Sequence, residues 1–103
     1  MIELTVIYQG GKMNLEITIH INNKKHHIQL RRVSYNILHQ LAEAACMSHS
    51  IDKASMVGTG NGLNAARYIS RLKKELGQFG YIIESDRQGH YGLAKTVAVN
   101  MDE

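Results

Sequence analysis

The chain has 103 residues and one cysteine, Cys46, enough for a single domain with a modest core and too few thiols for an internal disulfide. Hydrophobic residues make up 44 % and charged residues 20 %, a balance typical of soluble globular proteins. No apolar run reaches membrane-spanning length and no secretory leader is read at the start, so a cytoplasmic location is expected. The net charge of +3 is unevenly spread. Lys24, Lys25, Arg31 and Arg32 occur within 24–32 without an acid, and Arg67, Arg71, Lys73 and Lys74 occur within 63–80 against Glu75 alone. Such clustering suits a surface that meets a polyanion, whether nucleic acid or an acidic protein.

In chain order, Ile2, Leu4, Val6 and Tyr8 alternate with Glu3, Thr5 and Ile7, the period of a half-buried strand over 2–8. Gln9–Lys12 reads as a turn. Leu15, Ile17, Ile19 and Ile21 repeat the alternation. Residues 22–25 read as a second turn, in which asparagine tolerates positive φ. A third strand over 26–30 completes an antiparallel meander with one apolar face. Val33, Ile37, Leu38, Leu41, Ala42 and Ala45 then recur at helical spacing, predicting a helix over 34–45 that packs on the meander. Ser34 is the expected cap, although the Glu three residues on that would complete a capping box is missing.

A shorter helix over 51–57, with Ile51, Ala54 and Val57 inward, follows in the prediction, and Gly58–Gly62 reads as a hinge. The next stretch, Asn64 to Gly77, is the most informative. Ala65, Ile69, Leu72 and Leu76 form an apolar stripe, while Asn64, Arg67, Tyr68, Arg71 and Lys74 fall on the opposite face. Gly77 is a suitable stop. A strand over 81–84, a polar turn over 85–90 and a strand over 91–94 close the pattern, with Lys95–Val99 prolonging the last strand. The order predicts an α+β fold of one domain: a sheet over 2–30, a three-helix core over 33–77 and a β-hairpin over 80–99. A helix-turn-helix followed by a hairpin is the winged-helix arrangement.

Three stretches resemble the OmpR/PhoB-type winged-helix effector domain. Leu30 to Leu41 matches the apolar positions of that family's first helix without its Thr-Pro entry. Ala65 to Leu76 is similar to its recognition helix, with Ile69, Arg71, Leu72, Lys73, Lys74 and Leu76 in register. Ile83 to Leu93 resembles its wing, keeping Arg87, Tyr91 and Leu93, while Gln88 and His90 replace two wing glycines. The resemblance spans roughly residues 14–94 and contains no receiver domain. It implies a stand-alone regulator of transcription that binds double-stranded DNA, and a homodimer on repeated half-sites fits it.

Carried over position by position, the resemblance places DNA contacts at Asn64, Arg67, Tyr68, Arg71 and Lys73, with Ser85 and Arg87 from the wing. Lys74 joins them from the helical rotation, which puts it on the polar face. Arginine pairs with two acceptors of a guanine edge and asparagine with an adenine edge, so Arg67, Arg71 and Asn64 are the candidate base readers. Lysines and wing residues more often hold phosphates. The competing expectation is a winged-helix module that binds an acidic protein partner, since fold alone does not fix function. No nucleophile–base pair or paired carboxylates suggest an enzyme. The six histidines show no metal-ligand spacing, and Gly58–Gly62 lacks the Gly-Lys-Ser/Thr ending of a phosphate loop. Neither a cofactor nor a metal is expected.

Overall fold

The computed structural model describes residues 2–7, 14–47, 49–52 and 64–102. Strand β1 (Ile2–Ile7) pairs antiparallel with β2 (Asn14–Ile21), and β2 pairs antiparallel with β3 (Lys24–Arg31). Alternation sets the faces. Leu4, Val6, Ile17, Ile19 and Leu30 are almost fully buried, whereas Glu3, Lys25, His27 and Gln29 are exposed. Asn22 and Asn23 close the β2–β3 hairpin at φ 51° and 66°, both left-handed, so Ile21 faces Lys24 across a two-residue turn. Lys24 and Lys25 therefore belong to the strand rather than to the predicted turn. The predicted turn at 9–12 and the Tyr8 position lie outside the described residues.

Helix α1 (Arg32–Cys46) begins two residues before the predicted start. Ile37, Leu38, Leu41 and Ala42 are buried as the spacing predicts, but Val33 stays 41 % exposed. It occupies the first turn, ahead of the buried stripe.

The predicted second helix is corrected at its start. Ile51–Asp52 is a short strand, β4, paired antiparallel with β6, because extended backbone there completes a sheet edge. The rest of that prediction, and the hinge at 58–62, lie outside the described residues. Helix α2 (Ala65–Leu76) buries Ala65, Ile69, Leu72 and Leu76, all four positions of the predicted stripe. Gly77 ends it at φ 61° and ψ −122°, a conformation strained for any residue with a side chain.

A 3-10 helix over Gly77–Ile82 follows, where the sequence suggests a strand from Tyr81. Its close packing on the last turn of α2 depends on Gly80, where a Cβ would sit 3.0 Å from the Lys73 carbonyl oxygen. Strands β5 (Ile83–Ser85) and β6 (His90–Leu93) form the hairpin, giving a small sheet of order β4-β6-β5.

The final strand does not prolong β6. Ala94 to Thr96 turn the chain, with the Val97 N–H donating to the Ala94 carbonyl at 3.0 Å. Strand β7 (Val97–Asp102) then joins the first sheet parallel to β1. That sheet is thus four-stranded and mixed, of order β3-β2-β1-β7, not a three-stranded antiparallel meander. One cluster of buried side chains, running from Leu4 through Leu38 and Leu72 to Tyr91, joins both sheets and both α-helices.

Candidate functional site

The outer face of α2 is built by what the helix buries. Its apolar stripe turns Asn64, Arg67, Arg71 and Lys74 outward, and all four are exposed. Tyr68 is half-buried at the rim of the core, and the Arg71 guanidinium carbon lies 5.7 Å from its ring centroid. That cation–π contact contributes about 0.5–1 kcal/mol at an exposed site. Asn64 is the N-cap residue, but its side chain makes no capping bond. Lys73 differs from the others: it is half-buried against the 3-10 helix near Gly80. Its position in the last turn, with Lys74, complements the partial negative charge of the helix C-terminus.

The one acid of α2 does not neutralise this face. The Glu75 carboxylate reaches α1, where Oε1 accepts the Arg31 backbone N–H at 2.9 Å and Oε2 accepts the Ser34 hydroxyl. Helix α1 has no acid in its first turn and no side-chain cap of its own. Ser34 is not the cap but the third helical residue, 1 % exposed, so its hydroxyl needs a buried partner. Glu75 thus performs across two helices the task that a capping-box glutamate performs within one. Glu75→Ala is expected to cost about 1–3 kcal/mol by leaving the Ser34 hydroxyl unpaired. Glu75→Gln, which keeps an acceptor, is expected to cost less; urea unfolding of the two variants measures the difference, and equal losses would remove the carboxylate from this role.

The hairpin turn is organised by Asp86, which the sequence does not single out. Its Oδ1 accepts the Gln88 and His90 backbone N–H groups at 2.7 and 3.0 Å, and its Oδ2 meets His90 Nδ1 at 2.8 Å. The Ser85 hydroxyl accepts the Arg87 N–H at 3.1 Å. These contacts hold Arg87 at φ 63° and Gly89 at φ 94°, and the Arg87 side chain stays exposed at the tip. Backbone donation from Gln88 and His90 lowers the Asp86 pKa below its ordinary value of 3.8.

A carboxyl held below its unfolded value stabilises the turn above that value, and the contribution is lost as pH falls through the folded pKa. A carbon-detected titration of Asp86 is therefore expected to give a midpoint below 3.8; a midpoint at or above it would contradict the turn geometry. His90 Nε2 also lies 3.5 Å from Asp52 Oδ2 on β4, so this histidine links the turn to the neighbouring strand.

The structure gathers Asn64, Arg67, Tyr68, Arg71 and Lys74 on one helix and places Ser85 and Arg87 on the hairpin. Contacts fixing α2 run to α1 and the 3-10 helix, while those fixing the turn run within the hairpin and to β4. A groove of about 550 Å³ lies beside the hairpin, lined among others by Ala45, His49, Glu84, His90 and Lys95; its mixed charges favour no single ligand sign. Among the described residues no set of three or more His, Cys, Asp or Glu side chains is arranged to hold a metal, and no helix is long and apolar enough to cross a membrane. No family model, curated protein or solved structure matches the chain.

Proposed function

We propose that this chain is a winged-helix DNA-binding regulator of the OmpR/PhoB type, with α2 as the recognition helix in the major groove and the Ser85–His90 turn on the flanking backbone or minor groove. The observation that carries the reading is the acid-free outer face of α2. Arg67, Arg71 and Lys74 project from it unopposed because Glu75 is committed to α1. An exposed run of cations on a helix packed by its other face is the electrostatic footprint of phosphate binding. The small sheet supports the winged arrangement, since β4 precedes α2, β5 and β6 follow it, and all three pair.

In this reading Arg67, Arg71 and Asn64 read base edges, while Lys74, Lys73, Ser85 and Arg87 hold the backbone. Selection from random duplexes by gel shift tests it. An enriched motif is expected, bound with an affinity that falls with salt at a log–log slope near about −4.5 if roughly five phosphates are neutralised. No enriched motif, together with weak binding unchanged in an Arg67→Ala/Arg71→Ala control, would sink the regulator reading and leave the same face to an acidic protein partner.

A further inference from the structure

We infer, on the DNA-binding reading of α2, that β3 and the start of α1 form a second phosphate-holding strip. It grips the duplex backbone beyond the C-terminal end of α2, on the flank away from the hairpin. Lys24, Lys25, Arg31 and Arg32 are exposed, and among the described residues none of them lies within ion-pair distance of a carboxylate. Glu75 accepts the Arg31 backbone N–H, not its guanidinium, so the acid that anchors this strand leaves its charge open. A strand edge inserts no helix into a groove, and its lysines and arginines hold phosphates without reading sequence.

Two contacts fix how the strip continues the cations of α2. The Arg31 N–H donates to Glu75, in the last turn of the helix, at 2.9 Å. The His26 ring centroid lies 4.9 Å from that of Phe79 in the 3-10 helix. Followed from Arg31 back to Lys24, β3 therefore runs the way α2 runs. Arg67, Arg71 and Lys74 lead along the helix to Arg31, and Lys25 and Lys24 carry the line past its end. The helix rises roughly 12 Å from Arg67 to Glu75, and β3 spans roughly 23 Å. The line is on the order of 30 Å, near the roughly 34 Å of one duplex turn, and it fits the 37 Å longest extent of the molecule.

The large sheet sets this strip apart from the hairpin. Its order is β3-β2-β1-β7, so β3 and β7 are opposite edges, roughly 14 Å apart at the usual strand spacing. The groove beside the hairpin is lined by Val97 of β7 together with Glu84 and His90, which puts the hairpin at the β7 edge. α2 meets the β3 edge instead. A duplex seated on α2 thus has the Ser85–His90 turn on one flank and β3 on the other.

Hydroxyl-radical footprinting and salt titration of the whole chain on its selected duplex test the proposal. Lys24→Ala/Lys25→Ala and Arg31→Ala/Arg32→Ala change exposed side chains only, and wild-type circular dichroism verifies their fold. Each is expected to keep the selected motif, to lose protection on one flank alone, and to flatten the log–log salt slope by about 1.8, about 0.9 for each phosphate released. A retained motif with slope and footprint unchanged in both variants removes β3 from the interface and leaves the α2 reading standing. Protection lost equally on both flanks also overturns the strip, since the four cations would then act through net charge. Failure of the wild type to select any motif sinks the α2 reading itself, and the strip with it.

Discussion

Arg67→Ala/Arg71→Ala is expected to abolish preference for the selected duplex while leaving the fold intact. Both side chains are exposed on α2, so their truncation empties no core space. Each arginine that forms two hydrogen bonds to a base is worth about 1–3 kcal/mol of discrimination, and the pair therefore about 2–6 kcal/mol, the low end already being roughly thirtyfold in affinity. Lys74→Ala is expected to act differently. Removing one phosphate contact weakens all duplexes alike and reduces the salt slope by about 0.9. Measuring binding to the selected and a scrambled duplex at several salt concentrations separates the two. If the double variant lost selected and scrambled binding equally, the arginines would be phosphate holders and base reading would have to come from elsewhere.

Leu72→Ala is expected to lower stability by about 2–5 kcal/mol, the usual range for truncating a fully buried leucine whose surroundings relax only in part. Leu72 is 0 % exposed in the cluster that also holds Leu38 of α1 and Leu4 of β1. For a domain whose whole stability is commonly about 5–15 kcal/mol, such a loss is a large fraction. Leu72→Met, which conserves volume, is expected to cost under about 1.5 kcal/mol. Denaturant unfolding monitored by circular dichroism gives both values. A cost below about 1 kcal/mol for alanine would mean that α2 does not seat on α1 and the sheet through this residue.

The elements most legible in the sequence are those whose burial follows a simple period. β1, β2 and the buried stripe of α2 are read from alternation and from the 4-3-4 spacing of Ala65, Ile69, Leu72 and Leu76, and the Asn22–Asn23 turn and the Gly77 stop from backbone chemistry. What escapes is what depends on distant partners. Ile51 belongs to a strand because Tyr91 lies opposite it, yet its spacing to Ala54 fits a helix equally well. β7 is separated from β6 by Ala94–Thr96, which contains neither glycine nor proline to mark the turn. The six residues after α2 are too few for a period to distinguish a 3-10 helix from a strand. The polar face of α2 is legible residue by residue, with Lys73, which the resemblance adds to it, the exception, since it is half-buried. Glu75 is not: its role rests on Ser34 and Arg31, which are remote in sequence. Asp86 carried a local signal in a short turn acid followed two residues later by a free amide, the pattern of an Asx turn.

The parallel pairing of β1 with β7 also orders events in time. The β2–β3 hairpin and α1 join residues close in the chain and need little loop closure, whereas Ile2 meets Val97 only after nearly the whole chain has been drawn together. Contacts of such separation form late, because their entropic cost is met before they return any stabilisation. Until then β1 itself is an edge, and its later neighbour is absent. Amide protection in a refolding pulse should therefore appear at Ile17 and Ile19 before Ala98 and Asn100, whose N–H groups point to β1. During that interval the half-formed sheet offers any nearby chain the place that β7 will take.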